Sequence, residues 1–118
     1  MPLKLYTKEK QVIACLAGEI DHHGAGRLRE EIDETLERVR PDRLILDFRD
    51  VTFMDSSGIG LVMGRYRLIR EWEGAVEIHN PSPSIKKVMR LAGLDRIASI
   101  HSSPPQSGVN SDKTEAKV

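Results

Sequence analysis

The first apolar positions of the chain fall on either side of a short polar stretch. The polar stretch is KEKQ, and the apolar residues that flank it are Leu3, Leu5, Val12, Cys15 and Ala17. Two short apolar segments around a polar break predict two strands joined by a tight turn at residues 8–11. The chain is therefore expected to open with a β-hairpin.

The next segment has the period of an amphipathic helix. Asp21 stands where an N-cap is expected, and Pro41 closes the helix. From residue 25 onwards one apolar stripe recurs at helical spacing: Leu28, Ile32, Leu36 and Val39. The charged face of residues 27–40 is expected to be solvated. The apolar run inside RLILDF then predicts a central strand, followed by a turn at RDVT.

A second helical period begins after the segment FMDSSGIG. Its core stripe is predicted to be Ile59, Val62, Tyr66 and Ile69. A second apolar line widens this surface beyond what one sheet face needs: Leu61, Leu68 and Trp72. Such a width favours a helix that also contacts a partner. Gly74 is expected to stop this helix.

The last third of the chain repeats the alternation. Residues 75–78 predict a strand, and Ser82 with Pro83 predict the cap and first turn of a short helix that Gly93 ends. This helix carries Ile85, Val88 and Met89, and a last strand carries Ile97 and Ile100. The order predicts an α/β fold with a mixed, mostly parallel sheet. We expect a single domain over residues 1–103 and a disordered polar tail over residues 104–118.

Composition and charge exclude several classes of function. The chain has 118 residues, which is the size of one domain, with 18 basic and 18 acidic side chains. A balanced charge offers no basic surface for nucleic acid or an anionic membrane. No apolar run approaches the ~20 residues that span a bilayer, and no signal peptide is visible, so a cytoplasmic location is expected. The single Cys15 predicts a buried, inert thiol.

The segment FMDSSGIG carries the most informative chemistry, because it places an acid and two hydroxyls at a strand-to-helix turn. If Ser57 caps the helix, Ser56 stays free at the mouth of the turn. A phosphate on Ser56 would add about −1.5 to −2 charges beside Asp55. The purely structural alternative is a capped helix whose glycines allow close packing on the sheet: Gly58, Gly60 and Gly64.

Other chemistries lack their motifs. A serine nucleophile needs a base and an oxyanion hole, and the turn is not G-x-S-x-G, so the segment predicts a substrate and not a catalyst. No phosphate-binding glycine loop occurs, so no nucleotide cofactor is expected. His22 and His23 are adjacent and diverge, while His79 and His101 are far away in sequence, so no metal site is predicted. GEIDHH is expected to emerge at the same end of the sheet as DSSG.

These motifs and the element order together resemble the STAS domain. More narrowly they resemble the bacterial anti-sigma factor antagonists of the type that works in sporulation and controls the forespore sigma factor. The resemblance spans about residues 3–100 and rests on four segments: GEIDHH, LILDFRDVTFMDSSGIG, LVMGRYRLIR and SPSIKKVMRLAGL. Members of this family often continue into a C-terminal helix, where this chain has a tail rich in Pro, Ser and Asn.

The resemblance implies a partner switch. Ser56 matches the serine that is phosphorylated by an anti-sigma factor that is itself a serine kinase. The unphosphorylated form would bind this kinase and free the sigma factor, and a PP2C-type phosphatase would restore it after phosphorylation. The expected partner-binding residues are Asp21, Asp55, Ser57, Gly58, Ile59 and Leu61.

The same resemblance implies a regulator, expected to be monomeric, without a cofactor and without direct contact to nucleic acid or membrane. Three alternatives remain beside it. The first is a stress-response antagonist in a larger signalling assembly. The second is a small serine hydrolase or phosphotransferase centred on Ser56. The third is a transporter STAS module, which would normally be attached to transmembrane helices.

Overall fold

A computed structural model describes residues 2–102 of the chain. Within that range the strands are β1 (Leu3–Lys8), β2 (Gln11–Ile20), β3 (Arg43–Met54), β4 (Ala75–His79) and β5 (Ser99–His101). The helices are α1 (His22–Val39), α2 (Ser56–Arg70) and α3 (Pro83–Leu91), followed by a 3₁₀ turn at Leu94–Arg96. The predicted order of elements is confirmed. The predicted tail, residues 104–118, lies outside the described residues.

Across residues 2–102 the strands form one five-stranded sheet in the order β1-β2-β3-β4-β5. β1 pairs with β2 in antiparallel fashion, and β2, β3, β4 and β5 run parallel to one another. This arrangement confirms the predicted mixed sheet with an opening hairpin. Each helix connects a strand to its next neighbour in the same direction, so right-handed crossovers place all three described helices on one face.

The core lies between this face and the helices. Along β3 the side chains of Leu44, Leu46 and Phe48 are fully buried there. The residues that alternate with them point to the opposite side of the sheet: Arg43, Ile45 and Asp47. We call the opposite side of the sheet the open face. It carries Gln11, Cys15, Arg43, Ile45, Asp47, Glu77, His79 and His101. Among residues 2–102, no helix is long and apolar enough to cross a membrane.

β3 is longer than predicted, because the expected turn at RDVT does not exist. The strand continues to Met54, and Val51 within the supposed turn is only 5% exposed. The irregularity appears instead as register shifts against β2, between Cys15 and Ala17 and between Gly18 and Glu19. Bulges of this kind absorb extra residues without ending a strand. The polar residues Arg49 and Asp50 therefore lie at a bulge and not in a turn.

Several element ends also differ from the expectation. α1 begins at His22 rather than at residue 25, with Asp21 as its N-cap as predicted. α2 ends at Arg70, four residues before Gly74. A Cβ at Gly74 would collide with Ile69 and the carbonyl oxygen of Pro41, so this glycine is needed for close packing rather than for stopping the helix.

The start of α3 follows the sequence more closely. Ser82 caps it by accepting a hydrogen bond from the backbone nitrogen of Ile85 at 3.3 Å, and Pro83 opens its first turn, both as predicted. Ile85 and Met89 enter the core, but Val88 is 42% exposed. The apolar face of this helix is therefore narrower than the sequence suggested.

Candidate functional site

Two strand ends meet beside the DSSG turn. Ile20 at the end of β2 is in register with Met54 at the end of β3, and the backbone nitrogen of Asp55 donates to the carbonyl oxygen of Ile20 at 3.2 Å. Asp21 and Asp55 therefore leave neighbouring parallel strands side by side. The prediction that GEIDHH and DSSG emerge at one end of the sheet is confirmed.

Both of these aspartates cap the helix that follows them. Oδ1 of Asp21 accepts hydrogen bonds from the backbone nitrogens of His23 and Gly24, each at 3.0 Å. Oδ1 of Asp55 accepts from the backbone nitrogen of Ser57 at 2.8 Å. The amide of Gly24, followed by that of His23, lowers the pKa of Asp21. The positive ends of two helices thus lie beside each other, each with its own carboxylate.

The two serines occupy the first two positions of α2, and neither is its cap. Asp55 takes that place, so the idea that Ser57 caps the helix is wrong. Ser56 is exposed, whereas Ser57 is partly buried. The carboxylate of Asp55 caps α2, so the hydroxyl of Ser56 is not needed to cap the helix and lies at the surface.

Among the three glycines of the turn and helix, Gly58 alone allows the predicted close packing. It is buried, and a Cβ there would overlap the side chain of Met54 and lie 3.4 Å from Ile20. A Cβ at Gly60 or Gly64 would meet nothing within 4 Å. Gly58 therefore lets the first turn of α2 rest on the ends of β2 and β3.

This difference predicts opposite effects of two alanine substitutions. Gly58→Ala is expected to lower the free energy of unfolding by about 1–3 kcal/mol, because Met54 must shift in a packed site. Gly60→Ala, on the exposed side of the same helix, is expected to raise it by up to about 1 kcal/mol. Urea unfolding of the two variants measures both values. A Gly58→Ala variant as stable as Gly60→Ala would contradict the packing role of Gly58.

Leu61 does not belong to an exposed partner surface. The side chain is 4% exposed and is part of the buried core. The predicted surface line through Leu61, Leu68 and Trp72 is therefore wrong at its first member, and its other two members pack against the core. Trp72 also donates from Nε1 to the carbonyl oxygen of Pro41 at 2.8 Å, at the far end of α2.

The exposed apolar surface of α2 lies elsewhere. Met63 is 37% exposed, and Ile59 is partly buried near the serines. A groove of about 260 Å³ runs between α1 and α2. Its lining combines small residues and two arginines with one leucine: Ala25, Gly26, Arg29, Ser57, Gly60, Leu61 and Arg65. The surface beside Ser56 is thus shaped by two helices and not by α2 alone.

An ion pair between a buried arginine and a partly exposed aspartate joins these two helices. Arg65 of α2 is only 5% exposed; its Nε lies 2.7 Å from Oδ1 of Asp33 in α1, and its Nη1 donates to the carbonyl oxygen of Leu61 at 3.2 Å. Burial raises the pKa of Asp33 and lowers that of Arg65, despite their mutual attraction. The expectation that the charged face of residues 27–40 is solvated holds only in part at Asp33, whose side chain is 28% exposed and pairs with the buried Arg65.

The open face holds a cluster that the sequence reasoning missed. His79 and His101 are paired in register on β4 and β5, and Glu77 lies two residues before His79 on the same face. Hydrogen bonds from Arg43 and then His79 lower the pKa of Glu77. The sequence did offer one indication of this cluster: Glu77 and His79 are two positions apart at a predicted strand, so their side chains share a face. His22 and His23, in contrast, are exposed, with their rings in edge contact at 5.8 Å.

Cys15 also lies on the open face. It is half-buried rather than fully buried, and burial followed by the charge of Asp47 raises the pKa of its thiol. A raised pKa keeps the thiol protonated near neutral pH, where it is a weak nucleophile. The inert character predicted for Cys15 fits this environment.

The chain matches the model of one known family over most of its length. The profile of the STAS domain matches residues 3–106. This chain belongs to the STAS domain family. An anti-sigma F factor antagonist of Lysinibacillus sphaericus is 38% identical over 92 residues, covering 78% of each chain. An anti-sigma F factor antagonist of Paenibacillus polymyxa is 33% identical over 90 residues, which cover 76% of this chain and 77% of the relative.

Two further comparisons extend the family likeness. An anti-sigma-B factor antagonist of Bacillus subtilis is 31% identical over 101 residues, covering 86% of this chain and 90% of the relative. The unphosphorylated structure of the anti-sigma factor antagonist SpoIIAA superposes with a TM-score of 0.75 at 33% identity, covering 83% of this chain and 86% of that one. The phosphorylated form of SpoIIAA superposes with a TM-score of 0.68. Proteins so named are regulators, and the expectation that this STAS domain is not an enzyme is confirmed.

Proposed function

We propose that this STAS domain is an anti-sigma factor antagonist that works as a phosphorylation switch. Its unphosphorylated form binds an anti-sigma serine kinase and releases the sigma factor. Phosphorylation of Ser56 by that kinase ends the interaction, and a PP2C-type phosphatase restores it. The observation that carries the proposal is the exposed hydroxyl of Ser56 beside a capping carboxylate, in a chain similar to named antagonists.

The geometry supports Ser56 as the modified residue in preference to Ser57. Ser56 is exposed, while Ser57 is partly buried and its amide is held by Asp55. A kinase needs to bring the hydroxyl in line with the transferred phosphoryl group, and an exposed hydroxyl permits this approach. The solved relative SpoIIAA keeps its fold in a phosphorylated form, which supports a switch that leaves the fold intact.

The proposed docking surface surrounds this hydroxyl. Asp21 and Asp55 supply negative charge, and the partly buried Ile59 and exposed Met63 supply apolar contact on α2. Gly58 is buried against Met54, so its role is to let α2 pack closely beneath this surface and not to contact the kinase. A phosphate adds about −1.5 to −2 charges and three further oxygens at the position of the small Ser56 hydroxyl. The kinase surface that fits the unmodified hydroxyl would have to bury this dianion, and the desolvation cost weakens the complex.

Mass spectrometry of the intact chain and its peptides tests the site. The full chain is incubated with a purified anti-sigma kinase and ATP, beside the matched variants Ser56→Ala and Ser57→Ala. One phosphate is expected on Ser56 in the wild type and in Ser57→Ala, and none in Ser56→Ala. Phosphate on Ser57, or no phosphate on any variant, would contradict the proposed switch.

The sigma pathway is proposed from the relatives. Two anti-sigma F factor antagonists are 38% and 33% identical to this chain, against 31% for the anti-sigma-B factor antagonist. We therefore favour a kinase of the sigma-F type over a stress-response partner. Running the phosphorylation assay with one kinase of each type distinguishes the two, because only the true partner is expected to transfer phosphate at a low kinase concentration.

A further inference from the structure

Three metal-ligating side chains converge on the open face at the edge of the sheet. Nε2 of His79 lies 2.9 Å from Oε1 of Glu77, and Nε2 of His101 lies 3.9 Å from the same oxygen. One ligand atom from each residue lies within 4.8 Å of the others. The two imidazole rings are 5.0 Å apart between centroids.

Strand geometry brings these three side chains to the same face of the sheet. Residues two apart on a strand share a face, so Glu77 and His79 point the same way. His101 stands opposite His79 in the parallel pairing of β5 with β4. The arrangement therefore depends on the pairing of β4 with β5.

The carboxylate of Glu77 is also oriented by hydrogen bonds from the neighbouring strand. Arg43 on β3 donates from Nη2 to Oε1 of Glu77 at 3.0 Å and from Nε to Oε2. Nη1 of Arg43 donates to Oε1 of Gln11 at 2.8 Å, so a ladder of polar side chains crosses β2, β3 and β4. Outer hydrogen bonds of this kind fix the orientation of a ligating carboxylate. The positive charge of Arg43 also opposes a cation, which limits the affinity.

We propose that Glu77, His79 and His101 bind a divalent first-row transition metal ion, with Zn²⁺ as the probe. Two imidazole nitrogens and one carboxylate oxygen suit Zn²⁺, Ni²⁺ or Cu²⁺, whereas Mg²⁺ and Ca²⁺ take oxygen ligands. Three protein ligands leave a fourth position for water or a partner's side chain. The His101 side chain is 49% exposed, which gives the ion a path from solvent.

Binding exchanges existing hydrogen bonds for metal bonds. Nε2 of His79 gives up its contact with Glu77, and Nε2 of His101 gives up its contact with Oγ of Ser99 at 2.9 Å. Each ring then carries its proton on Nδ1 and presents the Nε2 lone pair to the ion. The bound ion also ties the three-residue strand β5 to β4, so it is expected to stabilise the folded chain.

Competition for Zn²⁺ against a chromophoric chelator tests the proposal on the full, untagged chain. The wild type is expected to bind one equivalent, and His79→Ala and His101→Ala are expected to bind at least about tenfold more weakly. The double variant His22→Ala/His23→Ala removes the other two histidines of the chain and is the matched control, with unchanged affinity.

The melting temperature supplies an independent readout. Zn²⁺ is expected to raise it for the wild type and for the His22/His23 control, but not for His101→Ala, whose exposed side chain is not needed for the fold. No binding by the wild type, or equal binding by His101→Ala, would overturn the proposal. Loss of binding in the control would overturn it as well, by assigning the ion to α1.

Discussion

The Ser56→Asp variant is expected to bind the anti-sigma kinase at least about tenfold more weakly than Ser56→Ala, and the phosphorylated chain about a hundredfold more weakly. Ser56 stands next to Asp55, with Asp21 at the end of the neighbouring strand. A new charge there loses its water in the complex and faces two carboxylates. A cost of about 3 kcal/mol suffices for a hundredfold loss, and desolvated like charges reach that value.

The matched control adds the same charge to the first turn of another helix. Ser84 is an exposed serine in the first turn of α3, and Ser84→Asp is expected to leave kinase affinity unchanged. Both Asp variants are expected to keep the free energy of unfolding within about 1 kcal/mol of wild type, because negative charge is tolerated at a helix N-terminus. Titration calorimetry and urea unfolding measure the two quantities. Equal affinities of Ser56→Asp and Ser56→Ala would refute the switch.

Asp33→Ala is expected to lower the free energy of unfolding by about 3–5 kcal/mol. The substitution leaves the guanidinium of Arg65, which is 5% exposed, without the carboxylate that lies 2.7 Å from its Nε. A buried charge that loses its partner keeps its full desolvation cost. Urea unfolding of the purified variant measures the loss.

The double variant Asp33→Leu/Arg65→Met separates the pair's net contribution from the cost of breaking it. Burial shifts the pKa of each partner towards its neutral form, so desolvation outweighs attraction in this pair. The double variant is therefore expected to be about as stable as wild type, within roughly 1 kcal/mol. A double variant as unstable as Asp33→Ala would show that the ion pair itself holds α1 and α2 together.

Much of the fold could be predicted because local patterns agree with the final packing. The helical stripe ending at Val39, the capping residues Asp21 and Ser82, and the apolar run of residues 44–46 all fall where the structure has them. The turn expected at RDVT failed because polar residues in a bulge resemble polar residues in a turn. Pairing with β2, which no local pattern encodes, decides between them.

The place of the DSSG turn in the fold was predicted, but the packing around it was not. The strand-to-helix turn located Ser56 and Asp55 correctly, because acids and hydroxyls at such turns are visible in sequence. Whether Leu61 faces a partner or α1 depends on the angle at which two helices cross, and the pairing of His79 with His101 depends on strand register. Both are long-range properties, and neither leaves a local pattern.

Strand order along the sheet follows strand order along the chain, and this has a consequence for folding kinetics. Within residues 2–102 every strand pairs with the strand that precedes or follows it in sequence, so no pairing skips over another strand. Loops that close over short separations cost less entropy, and low contact order goes with fast folding. The sheet can therefore grow by adding one strand at a time to its free edge, in the direction of synthesis.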